Sequence, residues 1–203
     1  MRDIEDAMFQ INDGNAIILA SESTRRVDIL RMLGIPFSII PPDIDETRRL
    51  EEPPKEYVLR VSYEKAQKVG RHFPDKWVIG ADTIVVYKNR ILGKPVNEDE
   101  AFRMLQLLKG KWHKVITGFC VLNVNRDITY RDAVETRVFM KDLLDKEIMK
   151  YIGTSEPLDK AGSYAVQGKG GYMVKEIKGS YSNVVGLPIC ELSEVLLSLG
   201  ILS

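Results

Sequence analysis

The chain has 203 residues, 44% apolar and 29% charged, and its 29 basic residues balance its 29 acidic ones. Such a length and composition can bury a sizeable core in one domain. The neutral balance argues against stable nucleic-acid binding, and no apolar run approaches the ~20 residues that span a bilayer. Residues 1–14 mix charged and amide side chains with few apolar ones and lack a signal-peptide core. They read as a short N-terminal extension with a frayed helix, ahead of a single domain over residues 15–203 in a cytoplasmic protein.

Residues 16–20 are short, apolar and isoleucine-rich, which predicts a buried strand. The polar turn Ser21-Glu22-Ser23-Thr24-Arg25-Arg26 follows. Val27, Leu30 and Leu33 then repeat at helical spacing up to a stop at Gly34. Residues 37–40 predict a second strand, closed by Pro41-Pro42-Asp43. Pro53 and Pro54 can open a helix reaching about His72. Residues 77–87 are a strong strand pattern ending in a turn at Lys88-Asn89-Arg90. Asn97 caps a helix that ends near Gly110. Residues 115–124 and 128–140 alternate as two long neighbouring strands, and residues 143–152 predict a short helix. Glycine-rich strands and turns are expected over residues 161–188, with a hairpin turn at Gly168-Lys169-Gly170-Gly171. A helix over residues 189–199 closes the chain. Interleaved strands and helices give an α/β class with a mixed sheet.

Cys120 and Cys190 sit in apolar segments and read as buried, reduced thiols. His72 and His113 lack metal-ligand spacing and read as surface or edge residues. The Gly168–Gly171 run lacks the spacing of a phosphate-binding loop.

Three places break the local pattern. At the first, Ser21, Ser23, Thr24, Arg25 and Arg26 gather hydroxyls and positive charge at a predicted helix start. Outward-facing amides and the helix dipole there favour an anion, and arginine suits phosphate. A plain cap followed by two solvated arginines would carry the same residues, but cations in a first turn oppose the dipole. At the second, a helical wheel puts Lys65 on the apolar side with Val58, Leu59, Val61, Ala66 and Val69, while Arg60, Glu64, Gln67, Lys68 and Arg71 form the polar face. Lys65 either snorkels outward or directs its ammonium at a phosphate. At the third, Asp82 interrupts a buried strand. A lone buried carboxylate is costly without a cation or donors, so it needs a bulge to water, a metal, or Lys65. Asp43, Asp45 and Glu46 lie just after a predicted strand and can complete a site with Asp82. All-oxygen ligation favours Mg²⁺ or Mn²⁺ held by a few carboxylates and substrate phosphates.

Together these segments resemble the Maf family. The opening hexad is similar to its S-x-S-P-R-R motif, with Thr24 in place of the proline. Asp45-Glu46, Glu64-Lys65-Ala66, Gly80-Ala81-Asp82-Thr83, Gly93-Lys94-Pro95 and Thr117-Gly118 follow in order. Glu156-Pro157-Leu158-Asp159-Lys160-Ala161-Gly162, Tyr164, Gln167-Gly168, Gly179-Ser180 and the run from Asn183 to Pro188 complete the set. The resemblance implies an elongated, twisted mixed sheet flanked by helices, with two lobes around a cleft, related to the inosine-triphosphate pyrophosphatases. It implies release of pyrophosphate from a nucleoside triphosphate, aided by a divalent cation, and a homodimer. Asp82 is then the proton acceptor or the holder of a metal and its water, and Glu46 helps place the metal. Ser21, Ser23, Arg26, Lys65, Lys94 and Lys160 hold phosphate oxygens. Arg25, Thr83 and Gln167 match the dTTP/UTP branch, whereas the 7-methyl-GTP branch carries an aromatic residue, Gln and Glu there. A different class of reading is an interaction protein that restrains septum formation and cell division.

Overall fold

The computed structural model describes residues 8–203. The part of the expected extension in residues 1–7 lies outside them. Residues 8–14 form no helix, because the C-terminus supplies them with partners. Ile11 bridges Leu202, and Gln10 exchanges two backbone hydrogen bonds with Ser203.

The chain interleaves seven strands and six α-helices among the described residues. They run β1 (Ile17–Ala20), α1 (Thr24–Arg31), β2 (Ser38–Ile39), α2 (Pro54–Gly70), β3 (Trp77–Tyr87), β4 (Arg90–Leu92), α3 (Glu98–Leu108), β5 (Trp112–Asn123) and β6 (Ile128–Met140). Then come α4 (Asp145–Ile152), three 3-10 turns (Glu156–Asp159, Ala161–Ser163, Lys169–Met173), β7 (Val174–Lys178), α5 (Tyr181–Val185) and α6 (Ile189–Ser198). The strands form a mixed sheet in the order β2-β1-β3-β5-β6-β7, with β4 paired to β3. β1 is parallel to β2 and β3, each reached through a helical crossover. β3 with β4, and β6 with β7, are antiparallel.

The chain divides into two compact units. The first takes the described residues through Asp82, with Gly118–Ala133 and Gly186–Ser203. Its core sets Ala66 and Val69 of α2 on Ile18, Ala20, Val78, Cys120 and Leu122 of the strands. The second takes Thr83–Thr117 and Val134–Val185. Its core joins α3 and α4 through Leu105, Leu108, Ile148 and Ile152, against Val85, Val115, Val138 and Met140. Burying each of these larger aliphatic side chains contributes roughly 1.5–3 kcal/mol.

Local signals explain the elements. Pro54 opens α2 at a position that needs no donor. Asn97 accepts from the Glu100 amide at 2.9 Å, and Glu98, Asp99 and Glu100 complement the dipole of α3. α2 approaches the sheet closely at Gly80 of β3. A Cβ there would meet the Ser62 carbonyl oxygen at 2.2 Å and the Ala66 nitrogen at 2.8 Å, so only glycine fits.

Several sequence expectations need correction. Arg90 begins a strand instead of closing a turn: Lys88 and Asn89 both take positive φ, so the turn is two residues long. Helix α4 starts at Asp145, two residues later than expected, because the Glu147 carboxylate accepts the Leu144 amide at 2.8 Å and fixes the start. Residues 161–188 hold one strand and one short helix among 3-10 turns. Gly168–Gly171 is no hairpin, since its amides turn inward onto Glu156. His113 is only 3% exposed, on an inward position of β5. Its Nε2 lies 2.7 Å from the Tyr164 hydroxyl, and burial lowers its pKa to about 4, so the ring is neutral. Cys120 is buried as expected, but Cys190 is exposed on the first turn of α6.

Candidate active site

β1 and β3 run parallel with Ala20 opposite Gly80, so Ser21 lies just past the carboxyl end of β1, and Asp82, midway along β3, lies just past the same register. Ligands of α/β sheets bind at such ends. Ser21 is buried, and its Oγ accepts the Ser23 amide at 3.2 Å and Arg26 Nη1 at 3.3 Å. Arg26 Nε donates to the Gly186 carbonyl at 2.8 Å. Burial lowers the Arg26 pKa, and Arg25 pushes the same way, while Asp82 and Glu46 raise it. Ser23 is the cap residue of α1, yet its side chain makes no cap bond and the first turn holds no acid. The start of α1 is therefore positive. Arg25 is half-buried and has no carboxylate partner among the described residues.

The close approach at Gly80 brings the turn of α2 between Ser62 and Ala66 over the middle of β3. Lys65 and Asp82 are 5% and 6% exposed. Lys65 Nζ lies 2.9 Å from Asp82 Oδ1 and 3.0 Å from Glu46 Oε1. The apolar stripe accommodates a lysine because the lysine meets a buried carboxylate. Glu46 belongs to an exposed segment without regular structure, whereas Asp43 and Asp45 make no ion pair among the described residues. Asp45 instead closes a turn on the Thr47 amide at 2.8 Å, which lowers its pKa.

The sequence pattern missed Tyr57. Its hydroxyl donates to the Glu46 carbonyl at 2.8 Å. Burial, then Asp82 and Glu46, raise its pKa to about 12, so it stays a donor. The pattern also put Arg60 on the solvated face, but this side chain is largely covered. The i, i+3 spacing of Tyr57 and Arg60, with Glu64 four residues on, was the available signal.

The remaining predicted residues belong to the second unit. Thr83 Oγ1 lies 3.0 Å from Thr117 Oγ1, and Thr117 donates to the Asn183 carbonyl at 3.0 Å. Lys94 is exposed just after Gly93, whose carbonyl accepts the Gly162 amide at 3.0 Å. That bond ties the Lys94 segment to the turn that follows Lys160, which pairs with Asp159. Gln167 is half-buried and precedes Gly168 at φ 118°, where a Cβ would meet Glu156 Oε2 at 2.9 Å. The Glu156 carboxylate accepts from Lys169, Gly170 and Tyr151 at 2.9–3.0 Å. Burial works to raise its pKa, but the Gly170 and Lys169 amides and the Tyr151 hydroxyl outweigh it and the net shift is downward.

Among the described residues no three His, Cys, Asp or Glu side chains cluster as a metal cage. Glu46 and Asp82 instead converge on one ammonium. Two carboxylates fit a hard cation that also binds substrate phosphates, as Mg²⁺ commonly does.

A family model described as Maf-like protein matches residues 16–199. The chain belongs to the Maf family. Three Maf relatives that are similar over nearly their whole length are named dTTP/UTP pyrophosphatase. A Geotalea uraniireducens dTTP/UTP pyrophosphatase is 50% identical over 184 residues, 91% of this chain and 95% of its own. The Syntrophus aciditrophicus dTTP/UTP pyrophosphatase is 46% identical over 92% of this chain and 91% of its own. The Geobacter sulfurreducens dTTP/UTP pyrophosphatase is 46% identical over 92% and 97%. The segments that carried the Maf resemblance include both carboxylates, Lys65 and the arginine-bearing turn. Among the described residues no helix is long and apolar enough to cross a membrane.

Proposed function

We propose that this chain hydrolyses dTTP and UTP to the nucleoside monophosphate and pyrophosphate. The observation that carries this reading is the Lys65 ammonium held between Asp82 and Glu46 beside the carboxyl end of β1, in a chain 50% identical to a dTTP/UTP pyrophosphatase. Asp82 accepts the proton of the attacking water. The water oxygen bonds to the α-phosphorus, the bond from that phosphorus to the bridging oxygen breaks, and pyrophosphate leaves with the electron pair. Lys65 orients the Asp82 carboxylate through their ion pair and offsets charge on the phosphates. Ser21, Ser23 and Arg26 offer donors at the start of α1, where backbone amides favour phosphate oxygens. Glu46 and Asp82 would hold a Mg²⁺ or Mn²⁺ ion, which supplies Lewis-acid charge to the phosphates when bound.

Lys94 and Lys160 as phosphate ligands, and Arg25, Thr83 and Gln167 as readers of the base, rest on the motif match in sequence. Arg25, Thr83 and Gln167 favour a pyrimidine over 7-methyl-GTP. The test is a nucleotide panel with separate detection of pyrophosphate and orthophosphate, with and without Mg²⁺. Pyrophosphate from dTTP and UTP, abolished by chelator, is expected. Orthophosphate release, or activity insensitive to chelator, overturns the reading.

A further inference from the structure

Residues 43–52 have no regular structure, and residues 45–51 are all exposed, with Leu50 at 96%. Bonds inside the segment shape it, with Asp45 accepting the Thr47 amide at 2.8 Å and the Glu52 carbonyl accepting Arg48 Nε at 2.9 Å, but these two do not reach the rest of the fold. The segment nonetheless carries Glu46 to within 3.0 Å of Lys65. What holds it is one side of α2. Tyr57 donates to the carbonyl of Glu46 at 2.8 Å, and Arg60 Nη2 donates to the next carbonyl, that of Thr47, at 3.1 Å. Arg60 also grips Glu52 at the far end of the segment as a fork: Nε to Oε1 at 2.6 Å and Nη2 to Oε2 at 2.9 Å. Its third nitrogen, Nη1, donates to Glu64 at 2.9 Å, which anchors the guanidinium to its own helix. The Arg60 and Glu52 side chains are 12% and 9% exposed, so this pair is shielded although the segment around it is not. A shielded bidentate pair resists fraying far better than a surface one.

We propose that Arg60, assisted by Tyr57, is a positioning residue that straps residues 46–52 onto α2 and so sets the Glu46 carboxylate against Lys65. The proposal rests on the reading of Glu46 given above. Only arginine can serve, because the planar fork meets Glu52 with two nitrogens and still reaches Thr47 and Glu64. Lysine would keep the charge and lose the geometry.

The test uses the full chain and four variants: Arg60→Met, Arg60→Lys, Glu46→Gln and the double variant Arg60→Met/Glu46→Gln. Two quantities are read: kcat for UTP, and the rate at which trypsin cuts after Arg48 and Arg49 under native conditions. Misplacing a group by about an ångström costs roughly tenfold to hundredfold, so Arg60→Met should lower kcat by that order, with Arg60→Lys close behind. The double variant should be no slower than the slower single variant, since both act through one carboxylate. Tryptic cutting should accelerate in both Arg60 variants and stay at the wild-type rate in Glu46→Gln. Multiplying losses in the double variant, wild-type kcat in Arg60→Met, or unchanged cutting would each overturn the strap. If Glu46→Gln alone keeps wild-type kcat, the catalytic reading of Glu46 falls instead, and the cutting rate decides the strap by itself.

Discussion

Lys65 Nζ sits 2.9 Å from Asp82 Oδ1, with both side chains less than a tenth exposed. The pair changes what a substitution at Lys65 should do. The wheel alone predicts that Lys65→Met suits the apolar stripe and leaves stability level or raised. In the structure methionine would strand a buried carboxylate, with Arg26 as the remaining charge that favours Asp82. Removing one partner of a buried pair costs about 3–5 kcal/mol. Part of that is recovered here because Asp82 keeps a small access to water. Lys65→Met should therefore unfold at clearly lower urea and lose pyrophosphate release, and Lys65→Met/Asp82→Leu should regain much of the stability without activity. Urea titrations of the two variants check this. Lys65→Met as stable as wild type would mean that the pair does not hold in solution.

Asp82→Asn keeps the shape and can still accept from Lys65, whose charge remains paired with Glu46. The melting temperature should move little. Turnover of UTP should fall by roughly 10²-fold or more, the loss expected for an essential base. Thermal melts and kcat measured on the same preparation separate the two effects, and turnover near wild type would make Asp82 a structural residue.

Much of this was legible in sequence, for physical reasons that differ by residue. β3 and α2 were clear because their apolar periods are long and end in prolines, glycine or charges. Lys65 and Asp82 were visible as violations of those same periods. Tyr57 and Arg60 were not, because their partners are backbone carbonyls and a carboxylate of an irregular segment, which leave no periodic trace. His113 was misjudged for a related reason. A strand start and a burial face look alike in one dimension, and its partner Tyr164 is 51 residues away.

His113 gives a pH dependence. Unfolded, it titrates near 6.5, and folded its pKa is lowered to about 4 by burial. Between those values the unfolded chain binds the extra proton, so stability rises with pH across that window and is lost as pH falls through it. From about pH 7 to pH 5 the loss attributable to this ring is about 2 kcal/mol. His113→Gln keeps a polar partner for Tyr164 and does not titrate. Its unfolding free energy should drop by about 2 kcal/mol less than wild type over that range. Parallel curves for the two proteins would show that His113 opens to water.

Thr117 has one hydroxyl proton, and the Asn183 carbonyl takes it at 3.0 Å. Thr83, 3.0 Å from Thr117 Oγ1, must then donate along that contact. Its oxygen faces other groups as an acceptor. Uracil and thymine each have a single base N–H, at N3, so an acceptor that reads them meets that donor. Cytosine presents a lone pair at the same atom, which an acceptor disfavours. Thr83→Val should therefore lower kcat/KM for UTP while changing that for CTP much less, a difference of about 1–1.5 kcal/mol for one neutral hydrogen bond. Thr117→Val should shrink the UTP preference in the same sense by letting the Thr83 proton turn outward, and Thr117→Ser should preserve it. The measurement is the UTP to CTP ratio of kcat/KM in all three variants. A ratio unmoved by Thr83→Val would take Thr83 away from the base. A ratio moved by Thr83→Val and untouched by Thr117→Val would mean that the Thr83 proton is oriented by some other group.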